Sequence, residues 1–146
     1  MNGTGFEKFG KISYTSEGKA KAFVDYLEKG KLMGTQCSGC KRVYFPPRMD
    51  CGKCHASDST AWVEIPNKWT LLTHTTAHFA PQGFEQDTPY VIGVAESNGG
   101  QRLLARVVVG TEGGEITDAM KLELRVAKLP GGRVVYEFRP AGGPPL

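Results

Sequence analysis

Two C-x-x-C pairs, Cys37-Ser38-Gly39-Cys40 and Cys51-Gly52-Lys53-Cys54, hold all four cysteines of the chain, with ten residues between them. In each pair both thiolates and the nearby backbone N–H groups can turn toward one point. Two such knuckles therefore supply the four soft donors of a tetrahedral site. Zinc suits that donor set best, and iron is the alternative that sulfur donors leave open. Gly39 and Gly52 are expected to ease the knuckle turns, and the insert KRVYFPPRMD is long enough for a short strand over Val43 to Phe45 and a return through Pro46-Pro47. That is the layout of a zinc ribbon. Lys41, Arg42, Arg48 and Lys53 stand against Asp50 in this segment. A divalent ion on four thiolates carries a charge of −2, so these cations offset the thiolates rather than forming a surplus for phosphate. A site closed by four sulfurs has no open position for water, so the metal is expected to be structural.

Other chemistries fit the same residues less well. A redox dithiol calls for one exposed, acidic pair beside a βαβ unit, and no such unit can be placed. Cys51-Gly52-Lys53-Cys54-His55 has the form of a c-type haem attachment motif, but that reading ignores Cys37 and Cys40 and needs an export signal. His55 is then a neighbour of the site and not a ligand. His74 and His78 fall on one face of a single expected strand, roughly 13 Å apart, too far to share a metal. No Ser-His-Asp set, phosphate loop or helix-borne carboxylate pair can be assembled, so no catalytic residue is assigned.

The elements that must hold the cysteine segment follow from periodicity. In SEGKAKAFVDYLEKG, Ala20, Phe23, Val24 and Leu27 recur at helical spacing, with Ser16 as N-cap and Gly30 as stop. This predicts one amphipathic helix whose apolar stripe docks on the chain's own core, or in part on another protein. After the cysteines, TAWVEI and WTLLTHTTAHFA read as strands, then PYVIGVAES and QRLLARVVV around Asn98-Gly99-Gly100, then KLELRVAKL and RVVYEF around Pro130-Gly131-Gly132. Leu122, Leu124 and Val126 are expected to point inward, as are Val134, Tyr136 and Phe138. Five strands after residue 66, in a long leading strand and two hairpins, predict a mainly β fold that closes as a five-stranded OB-type barrel. The expected divisions are residues 1–33 for an arm and helix, 34–66 for the zinc ribbon, 67–140 for the OB fold and 141–146 for a flexible tail. No stretch has the apolar core of a secretory signal or the length of a membrane span, which predicts a cytoplasmic chain with no membrane partner.

Formal net charge is +3 over 146 residues, which permits nucleic-acid binding without arguing for it. The strand QRLLARVVV decides more. One face carries Leu103, Ala105, Val107 and Val109, and the other carries Arg102, Leu104, Arg106 and Val108. No aromatic sits on the outer face to stack a base, and two aliphatics do, so a protein interface fits it better than a nucleic-acid platform.

FVDYLEKGKLMGTQCSGCKRVYFPPRMDCGKC resembles a family of small acyl-CoA-associated proteins that join an N-terminal helix, a rubredoxin-like zinc ribbon and a C-terminal OB fold. The resemblance runs over about residues 20–140, through Phe45-Pro46-Pro47-Arg48, Thr88-Pro89-Tyr90, and Phe138 before Pro140. One departure is Pro66-Asn67-Lys68-Trp69, where relatives often carry glycines ahead of the first barrel strand. The resemblance implies a non-catalytic subunit of a thiolase-like enzyme in a hetero-oligomer, with CoA esters at the shared site. Partnership with a MaoC-type hydratase or a hydroxymethylglutaryl-CoA synthase is the alternative within the family, and a ribbon/OB nucleic-acid binder the alternative outside it. Arg48 is the residue expected to grip a CoA phosphate or an interface carboxylate. Phe79 and Phe84 are expected to line an acyl or pantetheine path, while Phe45, Arg102 and Arg106 complete the set of expected CoA or interface contacts. The loop HFAPQGFEQDTPY and the arm KFGKISYT resemble subunits that serve aromatic acyl-CoA degradation.

Overall fold

The computed structural model describes residues 5–11, 18–110 and 114–143. The chain divides into two compact units. One runs to Ile65 and takes in Lys128–Val135; the other comprises Pro66–Ala127 and the residues from Tyr136 onward.

In the first unit, strand β1 (Met33–Cys37) lies between β2 (Val43–Tyr44) and β3 (Thr60–Glu64), all antiparallel. Helix α1 (Ala22–Glu28) buries Phe23, Val24 and Leu27, so its stripe is spent on the chain's own core. Ser16, the expected N-cap, falls outside the described residues. The helix begins instead after Lys21, which offers no side-chain cap. Its end is as expected: Gly30 adopts a φ of 73° and its N–H donates to the Leu27 carbonyl at 2.8 Å. The described part of the N-terminal arm opens with a 3-10 turn, Gly5–Lys8. Phe6 and Phe9 pack on Phe23, and Phe23 meets Phe45 edge-on with ring centres 5.7 Å apart. Gly10 donates to the Val134 carbonyl at 3.0 Å, and Lys8 pairs with Glu28 at 2.8 Å.

A barrel closes in the order β4-β5-β6-β8-β7, with β4 (Lys68–Ala77), β5 (Tyr90–Ser97), β6 (Arg102–Val107), β7 (Lys121–Leu129) and β8 (Arg133–Pro140); all but Lys128–Leu129 of β7 and Arg133–Val135 of β8 belong to the second unit. Strands β4 and β7 pair to close it, and β6 and β8 run parallel at Val107 and Phe138. This is the OB arrangement. Trp69, Leu71, Ala95, Leu103, Ala105, Leu122, Leu124 and Phe138 fill the interior, with Trp69 edge-on to Phe138 and its indole N–H on the Pro66 carbonyl at 3.0 Å. Gly93 faces this core, and a Cβ there would meet Leu71 Cδ1 at 2.7 Å and Val107 Cγ2 at 2.9 Å.

Several local expectations change. Val126 and Tyr136 are only half-buried, whereas Glu137 is buried and paired with Arg139. A bulge at Leu72 shifts the β4 register and the strand stops at Ala77, so His78 lies beyond it and does not share a strand face with His74. Strand β8 continues to Pro140, and Ala141 donates to Lys121 at 3.0 Å, because a proline at a strand end costs the ladder no donor. Residues 144–146 of the expected tail lie outside the described residues. Among the described residues no helix is long and apolar enough to cross a membrane.

Candidate metal centre

Strand β1 delivers Cys37 and the first knuckle, and the chain returning from β2 delivers the second. Both knuckles are built alike. Cys37 N–H donates to the Arg42 carbonyl and Lys41 N–H to the Cys37 carbonyl, at 2.9 and 3.0 Å. Cys51 N–H donates to Ala56 and His55 N–H to Cys51, at 3.0 and 2.9 Å. The left-handed residue of each knuckle is the one after the second cysteine, Lys41 (φ 61°) and His55 (φ 59°), and not the expected glycines. Gly52 serves space instead: a Cβ there would sit 3.1 Å from Arg48 Nη1.

The four sulfurs lie within 4.8 Å of one another. Cys37 Sγ is 3.7 Å from Cys54 Sγ, and Cys40 Sγ is 3.5 Å from Cys51 Sγ. Zn–S bonds of about 2.3 Å at the corners of a tetrahedron place sulfurs about 3.8 Å apart, close to these two separations, so the donor set fits zinc. His55 is not in this group and contributes only backbone. The sulfurs are also unequal before a metal binds. The Tyr44 hydroxyl, 3.3 Å away, together with the Cys54 and Lys53 amides holds Cys51 down to about 5. The Cys40 amide and then the Ser59 hydroxyl lower Cys37. The Ala56 amide favours the Cys54 thiolate, yet the sulfurs of Cys51 and Cys37 and burial outweigh it and push that thiol up to about 11. A divalent cation removes this competition by replacing the protons. Four thiolates leave it no open position, so the centre can shape the ribbon but cannot activate water.

The other expected contact residues fall in different places. Arg48 is exposed, with its guanidinium 5.5 Å from the Tyr44 ring centre, and among the described residues no carboxylate pairs with it. Phe45 departs from the expectation of an available contact: it is only 6% exposed, and its ring packs in the core against Phe23. In the barrel unit Phe79 is 91% exposed in the β4–β5 loop, and Phe84 is half-buried at the start of a short 3-10 turn, Glu85–Asp87. Arg102 and Arg106 are outward on β6, as the alternation predicts. Arg102 pairs with Glu96 at 2.7 Å, and Arg106 with Asp87 at 3.4 Å while lying over the Tyr90 ring. Between them Leu104 is 60% exposed, beside Val94 and Ile92 of β5. His74 Nδ1 lies 3.4 Å from Asp118 Oδ1.

Sequence reasoning passed over Tyr44, Thr35 and Ser59. Thr35 is fully buried; its hydroxyl donates to the Arg48 carbonyl at 2.8 Å and accepts from the Arg48 N–H at 2.9 Å. Tyr44 reaches Cys51 because it pairs with Thr35 across β1 and β2, a register that no cysteine spacing encodes.

Comparison with known proteins places these features together elsewhere. Residues 25–60 match the family described as ChsH2, rubredoxin-like zinc ribbon domain, and residues 62–135 match ChsH2, C-terminal OB-fold domain. A DUF35 domain-containing scaffold protein of Methanocaldococcus jannaschii is 35% identical over 81 residues, covering 56% of this chain and 57% of that relative. A scaffold protein of the same description from Methanothermobacter thermautotrophicus is 24% identical over 115 residues, covering 77% and 86%. The chain thus spans little more than half the length of the first of these relatives and most of the second. Among solved structures, one titled Ltp2-ChsH2(DUF35) aldolase superposes with a TM-score of 0.70 at 25% identity, covering 88% of this chain and 99% of that one. A DUF35 protein of unknown function from Sulfolobus solfataricus, 19% identical with a TM-score of 0.58 and covering 87% and 89%, shares the fold.

Proposed function

The chain belongs to the ChsH2 family of rubredoxin-like zinc ribbons joined to a C-terminal OB fold, and from that membership we propose that it is a non-catalytic accessory subunit of an acyl-CoA enzyme of the thiolase type. The catalytic cysteine and base belong to the partner. The zinc ribbon is a structural clip, and the barrel supplies contact surface and part of the CoA-ester site.

The outer face of β5 and β6 carries this reading. OB folds bind ligands on this face and on the loops beside it. Here its centre is aliphatic, with Leu104, Val94 and Ile92, and its arginines are already neutralised by Glu96 and Asp87. A face with paired charges around an apolar centre matches a protein surface better than a phosphate backbone. Arg102 and Arg106 then frame the interface, Phe79 and Phe84 border a pantetheine or acyl path, and Arg48 offers a CoA phosphate its exposed guanidinium. An acyl-CoA of the aromatic class is the substrate we assign to the complex. Relatives named as scaffold proteins support the subunit role. The structure titled as an aldolase favours one second reading, a partner that cleaves a carbon–carbon bond by aldol chemistry.

Co-expression with a catalytic subunit of either type tests this. The wild-type chain should co-purify with it, and Leu104→Asp should weaken the complex at least tenfold while the zinc content stays the same. Separate migration of the wild-type chains, with thiolysis or retro-aldol activity unchanged in the absence of this chain, would overturn the proposal.

A further inference from the structure

We propose that Arg48 and Tyr44 act as a latch on the metal centre: Arg48 braces the Tyr44 ring so that its hydroxyl donates to the Cys51 sulfur, and that bond slows metal release. The Tyr44 hydroxyl lies 3.3 Å from Cys51 Sγ, which also faces the Lys53 and Cys54 amides at 3.4 and 3.5 Å. Three donors on one thiolate spread its charge and resist its departure from the metal. Cys37, the corresponding sulfur of the first knuckle, has a hydroxyl only at 3.6 Å, from Ser59.

The brace is fixed at both ends. Tyr44 is held by its pairing with Thr35 in β1, and the Arg48 backbone is held by both hydrogen bonds of the buried Thr35 hydroxyl. From that anchor the Arg48 guanidinium reaches back over the Tyr44 ring at 5.5 Å, and Arg42 lies 5.9 Å from the same ring centre. Neither arginine is paired with a carboxylate among the described residues, so their charge is available to hold the ring face. Gly52 keeps the space for this contact, since a Cβ there would lie 3.1 Å from Arg48 Nη1 and 3.7 Å from the Tyr44 hydroxyl. Arg48 is therefore a positioning residue that acts on the metal through Tyr44.

The test follows zinc transfer from the loaded full chain to an excess of chelator, with neither CoA nor partner present. Tyr44→Phe removes one oxygen and should release zinc roughly tenfold faster, the lower range for losing a partner of a metal ligand. Arg48→Met should release it faster than wild type and no faster than Tyr44→Phe, and the double variant should match Tyr44→Phe alone. In the cobalt-substituted protein the sulfur-to-metal charge-transfer band should shift in Tyr44→Phe and, less, in Arg48→Met. Far-UV circular dichroism of each zinc-loaded variant reports folding separately. A wild-type release rate and an unshifted band in Tyr44→Phe would overturn the latch. Multiplying effects in the double variant would overturn the brace, because Arg48 would then act without Tyr44.

Discussion

Gly34→Ala should cost this protein its ribbon, although it adds one methyl group. Gly34 lies in β1 opposite Val63 of β3. A Cβ there would collide with the Tyr44 carbonyl oxygen and stand 2.7 Å from Ile65 Cδ1. The isoleucine can rotate away, but the carbonyl is backbone and moves only if β2 leaves β1. Its departure takes with it the Thr35–Tyr44 and Gln36–Val43 pairs and both hydrogen bonds between Thr35 and Arg48. Overpacking of about 1–3 kcal/mol and two hydrogen bonds of about 1 kcal/mol each add to about 3–5 kcal/mol, a large share of an ordinary domain's stability. Urea unfolding of the zinc-loaded variant should show a midpoint lowered to match, and dialysis against a weak chelator should strip zinc that the wild type keeps. A midpoint shift worth less than about 0.5 kcal/mol, the scatter of harmless surface changes, with full zinc retention would refute the close packing of β1 on β2.

Three further outcomes follow from the same contacts. Thr35→Val keeps the shape but leaves the Arg48 N–H and carbonyl without the hydroxyl, and should lower stability by about 2 kcal/mol in urea unfolding, whereas Thr35→Ser should lose less. Arg139→Met strands the buried Glu137 carboxylate in β8 and should cost about 3 kcal/mol at neutral pH, with recovery on adding Glu137→Gln. The hydrogen bond from Arg125, 3.0 Å from its guanidinium nitrogen, holds the Glu123 carboxyl below its ordinary value. A carboxyl depressed on folding contributes its full stability above the unfolded value and loses it as pH falls through the folded one. Acid unfolding of Glu123→Gln should therefore show a shallower loss below about pH 4.5, the ordinary carboxylate region; an unchanged acid limb would contradict it.

Much of the architecture was legible because burial writes itself into side-chain periodicity. The alternation of Leu103, Ala105 and Val107 against Arg102, Leu104 and Arg106 gave both faces of β6, and the stripe of Phe23, Val24 and Leu27 gave the helix. The C-x-x-C pairs located the metal because thiolates must converge on one ion. What escaped depends on tertiary context. Met33–Cys37 has no alternating apolar pattern and becomes a strand because β2 and β3 pair on either side of it. The knuckles turn at Lys41 and His55, where hydrogen bonds to the Cys37 and Cys51 carbonyls hold a left-handed backbone without glycine. Phe45 stands directly before Pro46-Pro47-Arg48, yet the aromatic cluster around Phe23 takes its ring. The contact of Tyr44 with Cys51 spans seven residues and depends on strand register, which sequence spacing alone does not state.

Native mass spectrometry of the chain co-expressed with its catalytic subunit is the most direct measurement of the proposed role. A zinc-clipped accessory subunit predicts a hetero-oligomer in which every copy of this chain carries one zinc ion and in which acyl-CoA turnover requires both chains. A chain that flies alone, or that joins the complex without metal while turnover is unchanged by its removal, would contradict it.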